Sequence, residues 1–440
     1  MTQWTHIDFI GIGGIGMSSL AQWALAQGIT VTGYDLRSSA ITKELADQGA
    51  RIRWDDRLDA WDIADAAWVV YTPAIPLSHP QLAAAIQGKR PVIKRAEMLA
   101  LIANQGTCLA VAGSHGKTTT SAMLAWILHQ GGMPVQAFLG GIANNFQSNV
   151  VIADSDLVVV EADEFDRSFL HLQPTAAVVI SSDADHLDIY RDRQGMQAGY
   201  EAFVSKVQGA LFTGPQVQGL GGQGYGKSGD AYRAEHLRIV SGRQVFDLVL
   251  GNQQQQGVTA GMPGRHNVDN AVAAACLAQS MGMDISTIAQ GISSFTGVKR
   301  RFDVHIHQGD LVYLDDYAHH PTELRQLISS LRELHPGREI AMLFQPHLYS
   351  RTQDFMADFI EVLSTVEHLA LLPIYPAREQ PIDGIHSEGI CKPLGASVQS
   401  ESTAAVWLAS HHKAIMVTAG AGDIDRQVPQ VIANLQSKFS

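Results

Sequence analysis

Residues 109–120, LAVAGSHGKTTT, constrain this chain more than any other stretch. Leu109, Ala110, Val111 and Ala112 read as a buried strand. The run Gly113-Ser-His-Gly-Lys-Thr-Thr breaks it, and 121–130 follows as a helix with Met123, Leu124, Ile127 and Leu128 on one side. A strand, a glycine turn and a helix in that order make a phosphate-binding loop. Gly113 and Gly116 let backbone N–H groups close around a polyphosphate at the positive end of the helix, Lys117 reaches the outer phosphates, and the Thr118 hydroxyl is available to Mg²⁺. The loop is shorter than the common G-x-x-x-x-G-K-[ST] form because position 111 is Val, and a plain glycine turn with a surface lysine is the alternative.

The loop needs a scaffold, and 440 residues supply roughly two to four domains. With 31 Lys and Arg against 43 Asp and Glu, net −12, and no basic helix face, nucleic acid and anionic membrane are not expected partners. A nucleotide must then be held by local donors. Cys108, Cys276 and Cys391 are odd in number and far apart, which suits core packing in a reducing compartment better than a disulfide or zinc site. The first residues, MTQWTHIDF, lack a basic region followed by an apolar one, and no apolar run reaches 18 residues, so a soluble cytoplasmic protein is expected.

Along the chain, 6–10 reads as a strand entering Gly11-Ile-Gly-Gly-Ile-Gly-Met17, then a helix over 18–27 and a strand over 31–34 ending at Asp35. This βαβ unit fits a dinucleotide, with Asp35 on a ribose hydroxyl, but also the diphosphate of any nucleotide conjugate. Further strands are expected at 67–72 and 91–93, with a helix over 94–102. Beyond the phosphate loop, a strand over 157–160 ends at Glu161-Ala-Asp-Glu-Phe-Asp, and one over 176–180 ends at Ser181-Ser-Asp-Ala-Asp-His. Both acidic clusters are expected just past strand ends, where open α/β sheets bind ligands; solvated, helix-capping charges are the alternative. One carboxylate plus phosphate oxygens suffices for Mg²⁺, and a histidine can complete a second ion's shell.

Residues 214–261, rich in Gly and Gln, read as a peripheral antiparallel piece. His266, Asn267 and Asn270 then precede or open a small-residue helix over 271–281, either meeting a nucleotide or capping that helix. After Gly297-Val-Lys-Arg-Arg-Phe, strands over 311–314, 340–344, 369–374 and 414–418 alternate with helices, which makes a second open α/β domain. Its strand ends carry His319, His320, His347 and Arg351, where a carboxylate or phosphoryl group would be received.

With these residues in view, the chain resembles the Mur ligase family. The blocks GIGGIGMS (11–18), RAEML (95–99), AVAGSHGKTTT (110–120), VVEADEFDRSFLHLQPT (159–175), ADHLDIY (184–190), PGRHNVDNA (263–271), GVKRRFD (297–303), DDYAHHPTE (315–323), FQPHLYSRT (344–352) and TAGAGDI (418–424) carry the resemblance in order. It implies a three-domain α/β protein: a Rossmann-like domain for a UDP-sugar over 1–100, a central P-loop ATPase domain over 101–297, and a Rossmann-like C-terminal domain for amino acid and ATP contacts over 298–440. The implied reaction joins L-alanine to UDP-N-acetylmuramate, using ATP and two Mg²⁺ ions, through an acyl phosphate. Gly11, Gly13, Gly14, Ile15, Gly16 and Met17 would then grip the UDP diphosphate, with Asp35 toward the uridine. Gly113, Ser114, His115, Gly116, Lys117, Thr118 and Thr119 would bind ATP. Thr118 and Glu161 would hold one Mg²⁺ and His186 the second. His266, Asn267, Asn270, Arg301 and Asp316 would meet the nucleotide, while Tyr317, His319, His347 and Arg351 would surround the amino acid and the reacting acyl group.

Two departures from the family pattern stand out. Leu348 occupies the place where an arginine commonly follows the histidine of the QPH motif, and no lysine is in register for the carbamylated lysine of sister ligases, Lys206 being displaced. Three rival readings remain open: a recycling ligase that attaches a preformed tripeptide to the same sugar, a nicotinamide oxidoreductase suggested only by residues 11–16 and Asp35, and a nucleotide-binding module without turnover.

Overall fold

The computed structural model describes residues 4–61, 67–182, 193–377 and 379–439. Its contacts divide the chain into two compact units, one of residues 1–236, 246–258 and 269–296, the other of 237–245, 259–268 and 297–440. The first unit contains two sheets. Five parallel strands run in the order Arg51–Arg53, Thr30–Tyr34, His6–Ile10, Trp68–Tyr71, Val92–Lys94. Seven run in the order Gln223–Gly224, Leu211–Thr213, Ala176–Val179, Thr107–Ala112, Leu157–Ala162, Gln136–Ala143, Ser148–Val151, with only the last pair antiparallel. Central strands of parallel sheets are covered on both faces, so they read as continuous apolar runs, as Cys108 to Ala112 does. Side chains from both sheets and from the helices packed on them, among them Phe9, Leu20, Met98, Cys108, Val158, Phe169 and Phe203, join in one hydrophobic core.

The second unit is built on six strands in the order Asp303–Gln308, Leu311–Asp316, Ile415–Ala419, Ile340–Phe344, His368–Leu371, Ser397–Val398, antiparallel only at the first pair. The Gly- and Gln-rich stretch forms a three-stranded sheet of Tyr232–Val240, Arg243–Leu250 and Gln253–Thr259. All three cysteines are buried and unpaired. No helix among the described residues is long and apolar enough to cross a membrane.

Several element ends differ from the sequence expectation, and each difference moves a site residue. The helix after the phosphate loop starts at Lys117, four residues early, because Gly116 at φ 82° turns the chain directly into it. The strand Leu157–Ala162 contains Glu161, which is therefore not beyond the strand end: it pairs in register with Val111. The helix Arg265–Ser280 takes in His266, Asn267 and Asn270, so the asparagines lie inside its first turns rather than capping it. The strand Leu311–Asp316 likewise includes both acidic residues at its end.

Candidate functional site

In the first unit, strand Thr107–Ala112 delivers the chain to Gly113 in the middle of the sheet, and the helix Lys117–Gln130 leaves from Gly116. The loop is braced from the neighbouring strand end, where Ser181 accepts the Ser114 N–H on its carbonyl (3.3 Å) and the His115 N–H on its hydroxyl (3.0 Å). Gly116 is required twice over. Its φ is left-handed, and a Cβ there would lie 2.5 Å from Asn270 Oδ1. Asn270 thereby stands against the loop, buried on its own helix.

Lys117 turns inward. Its ammonium donates to the Gly113 carbonyl (2.7 Å) and to both Glu164 oxygens (2.8 and 3.0 Å); the lysine side chain is 12% exposed and Glu164 is fully buried. Burial alone would push the ammonium's pKa down, but Glu164, with Asp163 and Glu161 nearby, pushes it above its ordinary value. Beside it, the Thr118 hydroxyl donates to Glu161 Oε2 (2.9 Å), which also accepts the Gly140 N–H (2.9 Å). A hydroxyl and a carboxylate converging at the mouth of a phosphate loop form a hard-oxygen pair that fits Mg²⁺, which completes its octahedron with phosphate and water oxygens. Thr119 is buried behind them. His186, expected at a second ion, lies outside the described residues.

The other glycine turn of this unit joins His6–Ile10 to the helix Ile15–Ala26. Gly11 and Ile12 donate to the Tyr34 carbonyl (2.8 and 3.0 Å), Gly14 donates to the Gly11 carbonyl (3.3 Å), and Met17 is buried below. Asp35 Oδ2 accepts the Gly13 N–H at 2.7 Å, so this carboxylate fixes the turn itself. The Arg95 guanidinium lies against Gly16, and Arg95 also lines a small cleft with Glu161, Asp163 and Ser168. Arg95 thus borders both the first glycine turn and the acidic end of the strand Leu157–Ala162.

In the second unit, the segment after Gly297 is tied down by Asp316, whose two oxygens accept the Phe302 and Ala318 N–H groups (2.7 Å each). Two guanidiniums lie over the Tyr317 ring, Arg300 at 5.0 Å and Arg301 at 4.7 Å from its centre. His319 packs edge-on to Tyr317 and to His347, and His347 stacks on Tyr375. The His319 Nδ1 lies 2.9 Å from the Tyr317 carbonyl, which can only accept, so the proton sits on Nδ1 and Nε2 presents its lone pair. Conversely, Arg351 donates to His347 Nδ1 across a long 3.4 Å, which leaves the His347 proton on Nε2. Burial, with Arg351 adding, lowers the pKa of His319 to about 4 and that of His347 to about 3; burial also lowers His266 to about 4. All three imidazoles are neutral at pH 7. Leu348, at φ 70° and ψ 138°, lifts the chain from His347 into the helix Tyr349–Asp354, and Ser350 is gripped there by Glu379 through its N–H (3.0 Å) and hydroxyl (2.5 Å).

Three family profiles match in sequence: the Mur ligase family catalytic domain over residues 6–107, the Mur ligase middle domain over 111–278, and the Mur ligase glutamate ligase domain over 300–425. The chain is a Mur ligase. It has the three-domain α/β architecture of that family. A UDP-N-acetylmuramate--L-alanine ligase of Flavobacterium johnsoniae is 42% identical to this Mur ligase over 440 residues, 98% of each chain. Among solved structures, a UDP-N-acetylmuramate-alanine ligase from Thermotoga maritima superposes with a TM-score of 0.83 at 26% identity, covering 98% of this chain and 99% of its own. A murein peptide ligase from Psychrobacter arcticus shares the fold, with a TM-score of 0.71 at 24% identity and 98% coverage of this chain.

Within this Mur ligase, the structure brings Gly113, Lys117, Thr118, Glu161 and Asn270 together, and separately Arg301, Tyr317, His319, His347 and Arg351. Sequence reasoning passed over Glu164, Arg95, Tyr375 and Glu379. Glu164 lies inside the acidic block Glu161-Ala-Asp-Glu-Phe-Asp, where spacing does not separate one carboxylate from the next. Tyr375 has a signal of its own, an aromatic residue a few positions past the strand His368–Leu371 of an open α/β sheet.

Proposed function

We propose that the chain is an ATP-dependent ligase that joins L-alanine to the lactyl carboxylate of UDP-N-acetylmuramate in peptidoglycan precursor synthesis, releasing ADP and phosphate through an acyl phosphate. The observation that carries the reading is a complete phosphate loop, Lys117 and the Thr118–Glu161 oxygen pair included, in a chain matched end to end by alanine-adding ligases. We read 1–100 as the sugar-nucleotide segment, 101–297 as the ATP segment and 298–440 as the segment for amino acid and ATP contacts, and place the reaction in the cytoplasm.

In the first step a carboxylate oxygen attacks the γ-phosphorus and the bond to the ADP oxygen breaks. Two anions meet, so positive charge must already be in place. Lys117 and the N–H groups at the start of its helix supply it, with Asn270, Asn267 and His266 on the nucleotide. Thr118 and Glu161 would hold one Mg²⁺, with His186 at a second. When bound, such an ion neutralises charge on the phosphate oxygens. Gly11, Gly13, Gly14, Ile15, Gly16 and Met17 would face the diphosphate of the sugar nucleotide. Asp35 would serve by holding their turn.

In the second step the amine of L-alanine attacks the acyl carbon and phosphate leaves. That requires a neutral amine and a donor for the tetrahedral oxyanion. His319, with the lone pair of Nε2 available, suits the amine. His347, with its Nε2 proton, suits an oxygen, and Arg351 suits the amino acid carboxylate in the absence of an arginine at 348. Phosphate release from ATP, Mg²⁺ and UDP-N-acetylmuramate, measured with L-alanine, L-serine, glycine or the tripeptide added separately, tests the assignment. Release strongest with L-alanine, with the matching sugar-nucleotide product by mass, is expected; strongest release with the tripeptide would move the chain to the recycling branch, and none with any acceptor to a binding module.

A further inference from the structure

Lys117 is the residue on which nucleotide binding turns, yet its three ammonium protons are directed at protein acceptors: the Gly113 carbonyl and both oxygens of Glu164. Glu164 is not the carboxylate that faces the Thr118 hydroxyl. That is Glu161, three residues earlier, which is engaged with Thr118 and Gly140. Nor does Glu164 sit on a loose loop. Its carbonyl accepts the Arg167 N–H (3.0 Å), Asp166 and Arg167, just beyond Phe165, both adopt left-handed backbone angles (φ 52° and 55°), and Asp166 is pinned by Lys94 at 2.7 Å. Two consecutive non-glycine residues in that conformation are held only where surrounding contacts over-determine them. The segment is therefore a braced strut that presents one buried carboxylate to one buried lysine.

We propose that Glu164 is a positioning residue that stands in for phosphate on Lys117: a built-in counter-ion which the nucleotide polyphosphate displaces on binding. The inference rests on the reading of residues 113–119 as the ATP site and deepens it. Two carboxylate oxygens on the ammonium reproduce the contacts that β- and γ-phosphate oxygens make with a P-loop lysine. A buried ion pair contributes little net stability, but removing one partner leaves the other charge uncompensated. An empty site with Lys117 but without Glu164 would be an anion trap. With Glu164 present, polyphosphate binds by exchange of one anion for another, so Lys117 is held in its rotamer beforehand and ADP, which makes fewer contacts than ATP, is released again. Glu164 thus limits nucleotide affinity in favour of turnover.

The test is ADP titration of the full-length protein, with Mg²⁺ and with chelator, for wild type, Glu164→Gln, Glu164→Asp, Lys117→Met and the Lys117→Met/Glu164→Gln double variant, each checked for folding by its melting profile. Glu164→Gln is expected to bind ADP about tenfold more tightly and to lower both kcat and the KM for ATP, because product release slows. Glu164→Asp, which keeps the charge, should stay within about threefold of wild type, and the Lys117→Met/Glu164→Gln variant, which has neither the cation nor its counter-ion, should bind ADP more weakly than Glu164→Gln. Unchanged or weaker ADP binding by Glu164→Gln, or a double variant that binds ADP as tightly as Glu164→Gln, overturns the proposal. A wild type that binds no ADP refutes the loop assignment instead. Infrared spectra of wild-type protein carrying ¹³C-labelled glutamate give an independent measure that needs no substitution at 164: a carboxylate band is expected to shift on addition of ADP, and unmoved bands contradict displacement.

Discussion

The two glycine turns of the first unit share a plan and differ in their charges. Each joins a central parallel strand to a helix, and each is braced by a neighbouring strand. At residues 11–16 the brace is a carboxylate: Asp35 takes the Gly13 N–H, and the turn has no lysine of its own. At residues 113–119 the brace is the neutral Ser181, while carboxylates engage the side chains, Glu164 on Lys117 and Glu161 on Thr118. A turn whose backbone is fixed by an anion suits holding a ligand that does not react. A turn that carries a lysine and a hydroxyl, each engaged by a carboxylate, suits chemistry on a phosphate. Under the proposed function, the same geometry would serve recognition in one place and catalysis in the other.

The largest expected effect comes from removing the lysine. Lys117→Ala should lower both ADP and product formation by about 10³-fold while UDP-N-acetylmuramate binding, followed by calorimetry, stays at the wild-type level; turnover near wild type would erase the contrast. Next is Glu161→Gln, which leaves the fold and the Gly140 contact largely in place but weakens the oxygen pair. The Mg²⁺ concentration for half-maximal rate should rise about 10- to 100-fold, read from rates across a magnesium series. In the second unit, Arg351→Lys should raise the KM for L-alanine roughly tenfold without changing the KM for ATP.

A smaller effect concerns pH and the charges beneath the second unit's cluster. Burial raises the Asp315 pKa to about 7 and the Asp316 pKa to about 6, with Arg300 and Arg301 opposing. A carboxyl whose pKa is raised in the folded state contributes stability that is complete below its unfolded value, 3.8, and is lost as pH rises toward 7. Asp315→Asn keeps an acceptor for the Thr418 hydroxyl, which donates to Asp315 Oδ1 at 2.6 Å. Between pH 5 and pH 8 the wild-type melting midpoint should therefore fall by roughly a few degrees more than that of the variant. Equal slopes would show that Asp315 is ionised throughout.

Much of this was legible beforehand, and what was not has physical reasons. Apolar runs such as Ile340–Phe344 locate buried parallel strands because both faces must be covered. Strand ends were less legible: Glu161 and Asp316 continue the ladder although they are charged, since backbone pairing does not stop where hydrophobicity does. A charge can also hide within an apparently apolar strand. Asp8 is fully buried in His6–Ile10 because Arg53, more than forty residues on, meets it at 2.6 Å. The same limit hid Glu164. The sequence pattern locates a carboxylate cluster near the phosphate loop, but only the backbone path, with Asp166 and Arg167 in left-handed conformations, determines which member reaches Lys117.

The difference between the two turns is tested most directly by a crossed titration of UDP-N-acetylmuramate and ADP against Gly13→Ala and Gly116→Ala. A Cβ at position 13 would stand 2.8 Å from Asp35 Oδ2 and one at 116 would press on Asn270, so each substitution disturbs one turn and leaves the other intact. Gly13→Ala is expected to weaken the sugar nucleotide about tenfold or more and leave ADP within about twofold, and Gly116→Ala to do the reverse. Loss of the same ligand in both variants, or of both ligands in each, would contradict the division of labour between the two turns.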